Sequence, residues 1–254
     1  MQADPAVERV CAAASRQPRF AGQRVVSRDT TRASGGRVDL GEMSRGCSLV
    51  ALYDVLAEER VDSYVEAAAA VTRTSGRSAY GHAKPRREVC YRPADDASSY
   101  AYSGIAHETV PYPAHVLALL PEFRALVAAH EPRVVAEFSR LSHGVDIVYS
   151  REFARGGSIG AHGDDEQPDW GLVLVYSLGQ TRWLRVRHRA TGTWTNVEMR
   201  HNSLVAMCGA AFQRDFTHQV DKLGKDEPVE ARLSLNVRYG RPSGSQPRDG
   251  ANGS

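Results

Sequence analysis

Beyond residue 145 the chain keeps largely to one pattern: apolar and polar residues alternate in short runs separated by turn residues. A period of two belongs to β-strands, whose successive side chains point to opposite faces. The alternation is cleanest in Ala231-Arg232-Leu233-Ser234-Leu235-Asn236-Val237-Arg238. There Ala231, Leu233, Leu235 and Val237 share one face, and Arg232, Ser234, Asn236 and Arg238 share the other. Strands are predicted over 145–150, 158–162, 171–178, 182–188, 203–208, 215–220 and 231–239. Gly156-Gly157, Gly179-Gln180 and Gly192 punctuate them.

Upstream the period is helical. Leu52, Val55, Leu56, Val61, Tyr64 and Val65 recur at roughly helical spacing, which predicts one helix from Leu49 to about Val71. Residues 72–112 are polar and aromatic and read as loops with short strands. A second helix is predicted from about Ala114 to His130, with Pro121 placed to break or kink it. Helices followed by many strands predict an α+β protein. Its core is expected to be a double-stranded β-helix, or jelly roll, with N-terminal flanking helices. Residues 1–46 are Arg-rich without a hydrophobic period and are expected to be disordered, as is the tail 241–254. That leaves one domain over 47–240, with its helices in 47–144 and its strand core in 145–240.

Composition narrows the function less. The net charge of +2 does not call for a polyanionic partner. Of the 32 basic residues 29 are Arg, which suits phosphate and planar groups, but a GC-rich genome gives the same skew. Cys11, Cys47, Cys90 and Cys208 form no Cys-x-x-Cys and fit no zinc pattern. Free thiols point to a reducing compartment, nuclear or cytoplasmic, with organelle targeting left open. No apolar run approaches the roughly 18 residues of a transmembrane helix, so no membrane is expected. A monomer is expected.

Chemistry enters at His162-Gly163-Asp164. Composition alone supplies about 0.5 His-x-Asp by chance, so the weight lies in what accompanies it. On an extended segment, residues i and i+2 point the same way. His218 lies on another alternating run, Phe216-Thr217-His218-Gln219-Val220. Two His and one carboxylate can form the open facial triad of non-haem Fe(II) oxygenases. Arg232 and Arg238, on one strand face, either grip a dicarboxylic acid or form a solvated polar face.

With these pieces in order, the stretch from about Arg86 to Tyr239 resembles the AlkB-type Fe(II)/2-oxoglutarate dioxygenases. The match runs through Phe153-Ala154-Arg155-Gly156-Gly157, His162-Gly163-Asp164-Asp165-Glu166, Tyr176-Ser177-Leu178-Gly179 with Arg182, Ser203-Leu204-Val205-Ala206-Met207-Cys208-Gly209, His218 and the Arg232–Arg238 strand. The His-x-Asp-Asp-Glu form is similar to the branch that repairs alkylated bases. Tyr100-Ala101-Tyr102-Ser103-Gly104 is similar to that branch's substrate-side region, which would make 47–144 the nucleotide-recognition part.

The resemblance implies that His162, Asp164 and His218 bind Fe(II), with 2-oxoglutarate and O2 as co-substrates. It implies that Arg232 pairs with the distal carboxylate of 2-oxoglutarate, that Arg238 assists near C1, and that Ser234 and Asn236 line the pocket. The reaction would oxidatively demethylate a base in DNA or RNA, releasing formaldehyde, succinate and CO2. A base reaching such a site must be flipped out or arrive unpaired. Tyr100 and Tyr102 are candidates to stack on it, or are ordinary strand aromatics. Asp165 and Glu166 are candidates to contact its exocyclic groups, or form an acidic turn. Arg86 and Arg87 could contact phosphates or belong to a plain basic loop.

Two positions depart from the family pattern. Where an Asn and a Tyr commonly contact 2-oxoglutarate, this chain has Arg151 and Phe153. Phe153 has no hydroxyl, while Arg151 could substitute as a carboxylate donor. Two other functions stay open: oxygenation of a protein side chain or small molecule, and a nucleic-acid-binding module without catalysis.

Overall fold

β15 (Arg232–Gly240) lies inside the larger of two facing sheets, hydrogen-bonded on both sides. The computed structural model describes residues 34–40, 46–77, 83–96, 100–102, 105–149, 157–164, 170–227 and 229–242. Nine strands form the large sheet. Eight run in the order β1 (Ser34–Val38), β2 (Ser48–Tyr53), β13 (Ser203–Cys208), β10 (Trp170–Gly179), β15, β8 (Arg140–Tyr149), β4 (Ala83–Arg92) and β3 (Thr74–Arg77). The ninth, β7 (Thr109–Pro111), pairs parallel with β4. The small sheet runs β12 (Trp194–Met199), β11 (Arg182–His188), β14 (Phe216–Val220), β9 (Ile159–His162). A separate hairpin joins β5 (Tyr100–Tyr102) to β6 (Ile105–His107).

The large sheet is covered on both faces. On one face Leu172, Leu174, Leu204, Leu233, Leu235 and Val237 pack against helices α1 (Glu58–Ala69), α2 (Ala114–Leu117), α3 (Leu120–Ala128) and α4 (Pro132–Glu137). On the other, Val173, Val175, Val205 and Met207 meet Leu184, Val186, Val197 and Met199 of the small sheet. Each such side chain gains roughly 1.5–3 kcal/mol from burial. The result is a mixed α/β molecule dominated by strands, consistent with a jelly-roll-like fold.

Burial on both faces explains where the helical reading of 49–71 fails. Leu49-Val50-Ala51-Leu52 is wholly buried in β2 between β1 and β13, and the helix begins only at Glu58. A short continuous apolar run cannot be told from a buried helix by period alone. The true helix α1 carries Val61, Tyr64, Val65 and Ala68 on one face and acids Glu58 and Glu59 in its first turn, where the helix dipole favours them.

The second predicted helix is two. Chain continuity breaks at residues 118–119, and Pro121 sits in the first turn of α3, where its missing N–H costs nothing. Three strands escape the sequence reading in whole or part: β12, β4 and the first half of β8. Ser34–Val38, inside the segment expected to be disordered, is an edge strand. Its sequence, Ser-Gly-Gly-Arg-Val, has no apolar pattern because an edge strand needs only backbone pairing, here with Leu49–Tyr53. Residues 1–33 and 243–254 lie outside the described residues.

Candidate metal centre

The small sheet brings the two histidines together. His162 ends β9 and His218 sits mid-β14, directly opposite it in the strand register. Their ring centroids are 4.2 Å apart. Alternation along β14 turns Phe216, His218 and Val220 inward, so the His218 ring reaches the space between the sheets.

Asp164 joins them by a different route from the one expected. The strand stops at His162, and Asp164 has φ 55°, in the left-handed region that Asp tolerates better than most residues. A turn, not strand alternation, therefore carries the carboxylate back toward the rings. Its oxygens lie 3.6 Å from His162 Nε2 and 3.4 Å from His218 Nε2. Among the described residues these three form the one group whose donor atoms could hold a metal, all within 4.8 Å of one another.

Hydrogen bonds set the donors' chemical states. His162 Nδ1 stands 2.8 Å from the Gly160 carbonyl, so Nδ1 carries the proton and Nε2 presents its lone pair. Burial, aided by neighbouring His218, pushes the His162 imidazole down to about 4, which keeps it neutral at neutral pH. Burial alone would raise the Asp164 carboxyl. Arg238, followed by His218 and His162, outweighs burial and holds it well below the usual carboxylate range. Arg238 donates directly to Asp164 Oδ1 from within the protein. Two neutral imidazoles and one carboxylate are the donor set a divalent iron takes.

Behind the triad lies a cavity of about 260 Å³. It is lined by all three triad residues and by Arg232, Ser234, Asn236 and Arg238, the polar face of β15. The sequence parity of 231–238 is therefore realised: one face is core, the other is pocket. Arg232 is 1% exposed and donates from Nη2 to Ser177 Oγ at 2.9 Å, while its Nε has no hydrogen-bond partner. Burial pushes its guanidinium down to about 10. Asn236 Nδ2 donates to the Val145 carbonyl at 3.2 Å and to Ser234 Oγ at 3.3 Å.

The model of the 2OG-Fe(II) oxygenase superfamily matches residues 48–238, a span that contains both sheets' cavity-lining strands. The chain belongs to this superfamily. No curated protein matches it. As a 2OG-Fe(II) oxygenase the protein uses Fe(II), 2-oxoglutarate and O2. Its residues fit both bound groups. Ligands on adjacent positions of such a metal stand about 3 Å apart, given bonds near 2.1 Å, close to the 3.4 and 3.6 Å found here. A buried arginine with no carboxylate partner among the described residues fits a dicarboxylate co-substrate.

The remaining expected site residues separate. Tyr100 lines the cavity but is 2% exposed, with His143 stacked at 5.0 Å on its ring and Arg238 Cζ 5.8 Å from its centroid. Arg86 corrects an expectation. It is a cavity-wall residue, buried and ion-paired to Glu88 at 2.9 Å, so it is not a surface phosphate contact. Alternation along β4 turns Arg86 and Glu88 inward and leaves Arg87 exposed. Arg151, Asp165, Glu166 and the side chain of Tyr102 lie outside the described residues, as does Phe153. Sequence reading missed Ser177, Met199, Met207 and Tyr149. Their strands were predicted except Met199's, but which strands adjoin β15 is set by long-range pairing that spacing does not carry.

Proposed function

We propose that this oxygenase oxidatively demethylates alkylated bases in DNA or RNA. The observation that carries this reading is the β5–β6 hairpin. It sets the Tyr100 ring in the cavity wall beside Arg238, which itself holds Asp164. An aromatic wall next to the proposed metal ligands suits a planar ring delivered edge-on. Fe(II), 2-oxoglutarate and O2 together supply the oxidation: the 2-oxo acid loses CO2 to become succinate, and one oxygen atom enters a C–H bond of the substrate. On an N-methyl group the resulting N-hydroxymethyl splits into formaldehyde and N–H.

The chain's own residues divide the remaining work. His162 and His218 offer neutral nitrogens, and Asp164 offers a carboxylate kept ionised by Arg238. Arg232 anchors the distal carboxylate of 2-oxoglutarate, with Ser234 and Asn236 beside it. Val145, Ile147, Val175, Leu184 and Met207 exclude bulk water from that end. Arg151, Asp165 and Glu166 keep the roles implied by their positions, as carboxylate donor and base contacts.

One observation favours a second reading. His143 already stacks on one face of Tyr100, which suits a smaller substrate or a protein side chain. Incubation with methylated DNA and RNA oligonucleotides, Fe(II) and 2-oxoglutarate, followed by mass spectrometry, decides between them. Loss of the methyl with matching succinate is expected. Succinate without any change in the oligonucleotides would move the substrate to the second class.

A further inference from the structure

Tyr149 is the last residue of β8 and stands directly opposite Arg232 in the strand register. Strand alternation places it on the face that Val145 and Ile147 present to the cavity. Two guanidinium carbons, those of Arg232 and Arg182, lie 5.8 Å from its ring centroid. Arg182 is occupied, donating to the carbonyls of Gly157 and Asp221. The Tyr149 hydroxyl is buried and has no hydrogen-bond partner, and neither has Nε of Arg232. Buried polar groups are almost always satisfied, so two orphaned donors on adjacent residues point to an acceptor that arrives with a ligand. At the Arg232 end of the cavity that acceptor is an anion.

We propose that the Tyr149 hydroxyl donates a hydrogen bond to the distal carboxylate of 2-oxoglutarate beside Arg232, supplying the hydroxyl that Phe153 lacks. The inference rests on Arg232 being the anchor for that carboxylate. It makes Tyr149 a residue that selects a dicarboxylic over a monocarboxylic 2-oxo acid. The missing hydroxyl at 153 is thereby replaced from a neighbouring strand position, four residues earlier in the chain.

Anaerobic calorimetry on the Fe(II)-loaded protein tests it with binding as the readout. Tyr149→Phe should weaken 2-oxoglutarate on the order of tenfold, as expected for loss of one hydrogen bond to a charged group. It should leave 2-oxobutyrate, which lacks the distal carboxylate, unchanged. The ligand-free variant should melt no lower than the wild type, because the hydroxyl has no partner there to lose. Equal weakening of both ligands, or a lowered melting temperature with unchanged 2-oxoglutarate binding, would overturn the assignment in favour of a packing role. Arg232→Gln binding 2-oxoglutarate as tightly as the wild type would instead remove the anchor, and the Tyr149 inference with it.

Discussion

His162 and His218 are cross-strand partners, one on β9 and one on β14, with Asp164 reaching both. The pair thus depends on the register of the small sheet as well as on the two residues' identities. His218→Ala should abolish succinate formation and weaken Fe(II) by more than the roughly 10–100-fold that follows loss of an outer-shell partner. Circular dichroism should be unchanged, since α-helices and the large sheet do not rest on His218. Retained turnover would place the iron elsewhere.

Removing the positive partner should expose the carboxylate. Arg238→Met leaves Asp164 buried beside two imidazoles without its nearest cation. Fe(II) binding should then be lost at higher pH on the acid side than in the wild type, because the carboxyl takes its proton sooner. Titration of metal binding against pH measures this, and coincident acid limbs would show that Arg238 does not tune Asp164.

Stability of the metal-free protein should fall as pH drops from about 6.5 toward 4. His162 is neutral in the fold down to about 4, while the unfolded chain takes its proton near 6.5. Between those values the unfolded state binds more protons, so unfolding gains. Above that window the contribution is complete. Asp164 acts only lower, below the ordinary carboxylate value of 3.8, where protonation removes its stabilising contacts. His162→Gln should flatten the slope between 6.5 and 4 in urea unfolding. The His162 side chain is 33% exposed, and solvent moderates the effect.

A buried pair on the opposite face carries a larger cost. Arg73 grips Asp146 at 2.8 and 3.2 Å, with both side chains at 0% exposure, and Tyr91 adds a hydrogen bond to the same carboxylate. Arg73→Met should destabilise by about 3–5 kcal/mol by leaving a buried charge alone. Adding Asp146→Leu should recover much of that loss. Chemical denaturation of the single and double variants checks both.

The pocket face of β15 was legible because a single strand carries it. Alternation alone placed Arg232 and Arg238 together, and both line the cavity. The triad was legible as composition in order, though its geometry was not. The sequence gives no sign that Asp164 turns left-handed after β9 ends. The Arg73–Asp146 pair and the Tyr149–Arg232 juxtaposition were hidden for another reason. Each joins residues more than 70 positions apart through sheet neighbours, and spacing cannot announce which strands adjoin. The burial of Arg86 was hidden likewise, because its strand was read as loop.

The two faces of β15 make the metal pocket and the hydrophobic core a single reading frame. Deleting one residue from this strand would exchange odd and even positions. Leu233, Leu235 and Val237 would be delivered to the cavity, and Arg232 and Arg238 to the layer beneath the helices. Catalysis and folding would be lost in the same step. Substitutions can therefore tune this strand, while a change in its length cannot.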